Sequence, residues 1–328
     1  MRESRRAWLV VSFLVSWAAS APAQEERPRE RQILDPDQNQ WVDRPAEPET
    51  IGGELEQARR WLATGEAKKA RKLLKRWTKD NPDDERYYEA MFLLGEAYFE
   101  TRDFYKAYES YVVVVQNTGG DMFYKTLRRE MDVARAFLSG QKRIVFGFLR
   151  LPAYDDGIKI LDGIWELVPG TRLGEQALKL KADYYFANGD LDLAQDTYAL
   201  LSREFPSGRW ARLAMFRAAA AAFAAFPGIK FDDRALLDAD ERYRQLKATY
   251  PEVAARENVD SQLEAIRQQR ADKDLYIARW YEKTDAVNAA EYYYRRILKD
   301  WPDTLAAGQA AARLRGMGIE IGEEGAGP

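Results

Sequence analysis

The most regular feature of the sequence is a five-residue step from a large apolar position to a proline. It occurs as Trp77 to Pro82, Ile164 to Pro169, Leu201 to Pro206, Leu246 to Pro251 and Ile297 to Pro302. Twelve positions before each proline stands a small residue: Ala70, Gly157, Ala194, Ala239 and Ala290. Four positions beyond each of these stands a large one: Leu74, Leu161, Tyr198, Tyr243 and Tyr294. A spacing of four puts both on one helix face, where the small residue admits a neighbouring helix and the large one fills the space a turn later. Proline then stops the helix, because it has no amide hydrogen to donate. Upstream lies a second apolar helix with a small residue followed three positions later by an aromatic one: Ala58 and Trp61, Gly95 and Tyr98, Ala182 and Tyr185, Ala278 and Tyr281. Gly189-Asp190 and Thr284-Asp285 mark turns between the two.

A sixth copy, built on Gly95, Tyr98, Ala107 and Tyr111, has Gly119 where the others have proline. The stop positions are thus 82, 119, 169, 206, 251 and 302, with spacings of 37, 50, 37, 45 and 51, so a basic unit of about 34–37 carries insertions. A repeating helix pair with small, aromatic, Ala, aromatic and Pro positions fits the tetratricopeptide unit of about 34 residues. The expected fold is all-α, a tetratricopeptide-type helical-hairpin solenoid of five to six repeats spanning residues 51–315. Such stacks offer a concave face made from the first helix of each pair. Phe92, Glu96 and Phe99 fall at helical spacing on one side of such a first helix, as do Lys179, Asp183 and Phe186 on another. Mixed aromatic and charged positions suit an extended peptide or partner helix, so these six form the candidate partner-binding groove.

Some segments pull against this pattern. Val112–Val115 reads locally as a strand, but the repeat phase assigns it to the end of a helix. The run Ala218–Ala225 is too short to cross a membrane and reads as an Ala-rich packing face. Tyr292-Tyr293-Tyr294 reads as core plus surface and not as a ligand cage. Ile144–Leu151, apolar and interrupted by glycine, is expected to be either an irregular insertion lining a groove or a distorted helix.

At the N-terminus Arg2, Arg5 and Arg6 precede the apolar run Ala7–Ala19, and Ala21-Pro22-Ala23 follows it. That order predicts a signal peptide over residues 1–23 and export. Residues 24–50 are charged and Pro-rich, with little to bury, and are expected to be a disordered leader. Residues 316–328, rich in Gly and Glu, are expected to be a flexible tail.

Composition narrows the chemistry. With 46% hydrophobic and 31% charged residues the chain is a folded protein. The formal charge is -3, and it becomes about -5 once residues 1–23 are removed. No basic cluster is present to displace counterions, so a nucleic acid partner is not expected. The chain contains neither Cys nor His. This excludes thiolate nucleophiles, Ser-His and Cys-His catalysis and the usual zinc sites. No catalytic, cofactor-binding or metal-ligating residues are assigned, and no enzyme activity is expected.

The last repeat carries the most specific text: Asp274-Leu275-Tyr276-Ile277-Ala278-Arg279-Trp280-Tyr281, then Ala289-Ala290, then Ile297-Leu298-Lys299-Asp300-Trp301-Pro302-Asp303-Thr304. It resembles the C-terminal repeat of the BamD family, the repeat proteins of the bacterial outer-membrane β-barrel assembly machinery. Residues 189–208 resemble an earlier repeat of that family, and the likeness spans Glu54 to Gly316. The resemblance implies a non-enzymatic periplasmic scaffold, associated with the outer membrane and working through protein–protein binding, with membrane contact only indirect, via partners. The family usually carries a lipidated Cys at the mature N-terminus, which this sequence lacks. The same repeats also serve an envelope adaptor for cell-wall synthesis or cell division. A wall-cleaving carboxylate hydrolase would need two acids across a cleft, and no motif places them.

Overall fold

The computed structural model describes residues 32–35, 40–43, 50–146 and 148–321. The expected signal peptide, residues 1–23, lies outside the described residues. The chain divides into two compact units, Met1–Asp80 and Asn81–Pro328.

In the first unit, strands β1 (Gln32–Asp35) and β2 (Gln40–Asp43) pair antiparallel, with Gln32 opposite Asp43. They lie in the segment expected to be a disordered leader. Helices α1 (Ile51–Ala63) and α2 (Ala67–Asp80) form the first repeat. Thr50 caps α1 by accepting from the Gly53 amide at 2.9 Å. Ala58, Ala70, Leu74 and Trp77 are buried between the two helices, and the Trp77 indole donates to the Ile51 carbonyl at 3.0 Å.

The second unit continues the pairing. It holds α3 (Tyr87–Glu100) with α4 (Phe104–Asn117), and α5 (Gly120–Leu138) with α6 (Tyr154–Leu167). Then come α7 (Arg172–Asn188) with α8 (Leu191–Glu204), and α9 (Ala211–Ala224) with α10 (Arg234–Thr249). After the short α11 (Pro251–Arg256), α12 (Val259–Lys283) pairs with α13 (Val287–Asp300), and α14 (Leu305–Gly316) closes the array. The fold is the all-α tetratricopeptide-type solenoid that the repeat predicts. Each second helix ends two residues before its stop position: Asp80, Asn117, Leu167, Glu204, Thr249 and Asp300. The small residues Ala70, Ala107, Ala194, Ala239 and Ala290 are wholly buried, as are Leu74, Tyr111, Leu161, Tyr198, Tyr243 and Tyr294.

Val112–Val115 lies in α4, as the phase requires. Ala218, Ala219, Ala221 and Ala222 form the packing face of α9. Among the described residues no helix is long and apolar enough to cross a membrane. Tyr294 is core, Tyr293 stacks on Tyr281 at 5.6 Å, and Tyr292 is exposed.

Of the two readings of Ile144–Leu151, the insertion holds and the distorted helix does not, but the insertion is regular and not irregular. The segment belongs to a β-hairpin of β3 (Lys142–Val145) and β4 (Leu149–Pro152), with Val145 opposite Leu149 and Lys142 opposite Pro152. Its β-branched residues and turn signal override the helical phase around it. In four repeats the small residue of the first helix precedes that of the second by twelve positions, as in Ala182 to Ala194. In the third repeat Ala134 contacts Gly157 twenty-three positions on, where a Cβ on Gly157 would stand 3.2 Å from the Ala134 carbonyl oxygen. The excess of eleven equals the length of the hairpin, Lys142–Pro152. The hairpin is therefore an insertion in the turn of an otherwise ordinary repeat.

The distinctive last repeat is locked by Asp274, a buried carboxylate on α12. It pairs with Arg296 and accepts from the Trp301 indole at 3.1 Å. Beyond α14, Met317, Ile319 and Ile321 pack back onto this core, inside the stretch expected to be a flexible tail.

Candidate functional site

The six candidate groove residues separate into two sets, both within the second unit. On α3, Phe92 is buried, with its ring 5.8 Å from that of Tyr111, so it is core and not an exposed anchor. Lys125 of α5 lies over its outer face at 4.3 Å. Glu96 accepts from the Tyr111 hydroxyl at 2.5 Å and from Arg129 of α5 at 2.7 Å. Phe99 packs edge-on against Phe104 and is covered by the Arg129 guanidinium at 4.1 Å. This set fastens three helices together.

The set on α7 is more open. Asp183 pairs with Lys179 one turn earlier and accepts from the Tyr198 hydroxyl at 2.6 Å. Lys179 also lies 4.8 Å over the Trp210 ring, and Arg217 of α9 lies 5.1 Å over Phe186. Lys179 and Asp183 keep 27% and 36% of their side-chain surface accessible, enough to meet a partner while held in place.

Both sets reveal one construction that the residue types alone do not show. A tyrosine of the second helix donates its hydroxyl to a carboxylate of the first, which also holds a cation. Tyr111, Glu96 and Arg129 are one instance, and Tyr198, Asp183 and Lys179 another. In the last repeat Tyr294 donates to Glu282 at 2.7 Å, and Arg313 of α14 lies 3.3 Å from the same carboxylate. Burial drives all three phenols above their ordinary range, and the adjacent carboxylates push the same way. The hydroxyls are thus fixed donors. The acid precedes its tyrosine by fifteen positions in the first two cases, a spacing that would have exposed the pairing in the sequence.

Arg217 carries the α7 surface onto a cleft of about 780 Å³ between α9, α10, α12 and the 225–233 turn. Phe216, Phe223, Phe226 and Tyr243 supply much of its apolar lining, with Arg217, Gln262 and Gln269 as polar members. The Gln269 Oε1 atom is buried and has no hydrogen-bond donor among the described residues. A buried acceptor without a donor is costly, and this one lies in the wall of the cleft. Apolar walls and a cation at the edge fit an extended peptide with an apolar side chain. None of the cleft residues stood among the six sequence candidates: Phe216 and Phe223 lie on α9 and Tyr243 on α10, and only the 225–233 turn, with Phe226, folds them into a cleft.

A second polar cluster lies beneath the hairpin. Arg143 approaches Asp156 at 3.3 Å and lies 5.5 Å over Tyr105, while its Nε atom is buried without an acceptor among the described residues. Glu130 of α5 is buried facing Tyr108, and burial raises its carboxyl to about 8. No group of residues that could hold a metal ion occurs among the described residues.

Stacked helix pairs bearing a cation-edged aromatic cleft define a tetratricopeptide-type scaffold, whose chemistry is that of binding. The chain belongs to the YfiO family, described as outer membrane lipoprotein, which matches residues 149–324, more than half of its length. That span contains the α7 surface and the α9–α12 cleft but not Phe92, Glu96 or Phe99. Among curated proteins there is no match. One similar solved structure is the C-terminal part of a TPR repeat-containing protein from Cytophaga hutchinsonii, with 14% identity and a TM-score of 0.38, covering 80% of this chain and 87% of that one. Another holds the nearly identical TPR-like repeats of a putative kinesin light chain from Podosopora anserina, with 16% identity and a TM-score of 0.34, covering 63% and 96%.

Proposed function

We propose that this protein is a periplasmic, non-enzymatic scaffold of the BamD type, which supports outer-membrane β-barrel assembly by holding other proteins. The observation that carries the reading is the cleft at Phe216, Phe223 and Gln269, open to a peptide and lying inside the family-matched region. The N-terminal Arg-apolar-Ala-Pro-Ala sequence supports export, and the family's description supports the outer membrane as the destination. The Lys179, Asp183 and Phe186 surface extends the same binding face through Arg217.

The test is a photo-cross-linking residue placed at Phe223 in the full chain, activated in intact envelopes, with adducts identified by mass spectrometry. Adducts with the barrel-forming assembly protein or with unfolded barrel chains are expected. Phe186→Ala combined with Phe216→Ala is expected to reduce them roughly tenfold or more, since buried aromatic anchors each carry about 1–3 kcal/mol. Adducts only with wall-synthesis or division proteins would assign the same cleft to an envelope adaptor instead.

A further inference from the structure

The hairpin inserted in the third repeat ends in two of the most exposed large apolar side chains of the described chain. Phe146 is 85% and Phe148 82% accessible, with Leu149 beside them at 43%. Phe146 also has a backbone φ of 51°, a left-handed conformation that bulky residues avoid. Among the described residues no aromatic or cationic partner lies on these rings. Two bare phenylalanines at the end of a projecting ribbon carry a solvation cost that the fold does not recover.

The charge around them is one-sided. Lys142–Pro152 holds three basic residues and no acidic one, in a chain whose net charge is -3. The strand register puts Lys142, Ile144, Arg150 and Pro152 on one face and Arg143 and Leu151 on the other. Arg143 turns back to Asp156 and Tyr105 and anchors the base of the hairpin. Lys142 and Arg150 are both exposed and have no acidic partner among the described residues. An apolar tip behind a pair of unpaired cations is the arrangement by which segments seat in a lipid–water interface, rings at the acyl boundary and cations among the headgroups.

We propose that Phe146, Phe148 and Leu149, at the end of this hairpin, insert into the surface of a bilayer containing anionic phospholipid, with Lys142 and Arg150 holding the headgroups. Lipid is favoured over a protein partner because Phe146 and Phe148, at 85% and 82% accessible, have little surface of the described chain beside them to complete a shaped interface, while the exposed charge behind them is of one sign. This gives the scaffold a direct contact with the membrane, where the sequence reading allowed only an indirect one. It is independent of what the α9–α12 cleft binds.

The absence of cysteine makes the test direct, since one introduced thiol is the sole labelling site. In the full chain, Phe148→Cys carries an environment-sensitive fluorophore, with Leu305→Cys, also on an exposed position, as the control. Vesicles of phosphatidylethanolamine and phosphatidylglycerol are compared with vesicles of phosphatidylcholine alone. The expected result is a blue shift at position 148 with quenching by brominated acyl chains, only on the anionic vesicles, and no change at position 305. A local label is not mimicked by attachment through another segment. Lys142→Glu with Arg150→Glu is expected to weaken the apparent partition at least about tenfold, and raised salt to weaken the unmodified pair likewise. An unshifted label on anionic vesicles overturns the proposal, and so does equal quenching on both vesicle types. A photo-cross-linker at position 148 that captures one discrete polypeptide in envelopes, with no lipid adduct, would assign the tip to a protein partner and overturn it as well.

Discussion

Two residues in the second and third repeats illustrate how little freedom the packing leaves. Gly95 lies against the Tyr111 ring, and a Cβ there would overlap the ring carbons. The ring cannot retreat without giving up its hydroxyl bond to Glu96. Gly95→Ala is therefore expected to cost about 1–3 kcal/mol, the usual penalty of overpacking. Thermal melting reads this loss, and Tyr111→Leu in the same chain should restore part of it. Glu130 behaves in the opposite sense from a paired carboxylate. Its buried carboxyl holds its proton up to about 8, whereas an unfolded glutamate loses it near 4.5. Between those values the unfolded state binds fewer protons, so stability falls as pH rises through the window. Glu130→Gln should abolish the slope and gain on the order of 3 kcal/mol near neutral pH, while changing little at pH 4. Denaturant midpoints at three pH values check this. Residues of this kind were only half legible. The small residue and the later tyrosine were visible as a pattern, but the carboxylate that each tyrosine seeks was not, because polar spacing is not read by hydrophobic period.

At the scale of elements, the helices were legible because two signals agree in each. The small-to-large step fixes the buried face and the proline or glycine fixes the end, which lies two residues earlier in all six second helices. Ile144–Leu151 was not legible, since short apolar runs suit either strand or helix and only the register with a partner strand decides. The hairpin is an addition to a turn and not part of the core. Replacing Lys142–Pro152 by nothing restores the twelve-residue spacing between Ala134 and Gly157 that the other repeats use. That deletion is expected to leave helical content unchanged, and to change thermal stability by less than about 1 kcal/mol, because surface loop length is thermodynamically cheap. It removes Arg143 from Asp156 while leaving the α5–α6 packing intact. Circular dichroism melts of the deletion and the parent measure it.

For the whole molecule, the array is expected to respond locally. Within the second unit each helix packs chiefly against its sequence neighbours, so the stability of that unit is near a sum of repeat and interface terms. Tyr294→Phe removes the donor to Glu282, and should raise hydrogen exchange across α12 to α14 while leaving amides of α3 to α6 unchanged. Uniform loosening across both regions would contradict a quasi-one-dimensional molecule. The repeat count and phase were legible at this scale, and so was the family, carried by the text around Asp274 and Trp301. The α9–α12 cleft was hidden because it depends on the 225–233 turn, whose Phe226 and Ile229 gain meaning only from the helices they face.

The tyrosines of the second helices have an optical consequence. Tyr111, Tyr198, Tyr243 and Tyr294 each belong to a different repeat, and each phenol resists ionisation because it is buried. An unfolded phenol ionises near pH 10, so above that value the unfolded chain sheds protons that the native one keeps, and alkali favours opening. Phenolate absorbs light that neutral tyrosine does not. Slow growth of that absorbance in mild alkali would therefore time the opening of individual repeats, and Tyr→Phe variants taken one by one would assign each amplitude to its place along the chain.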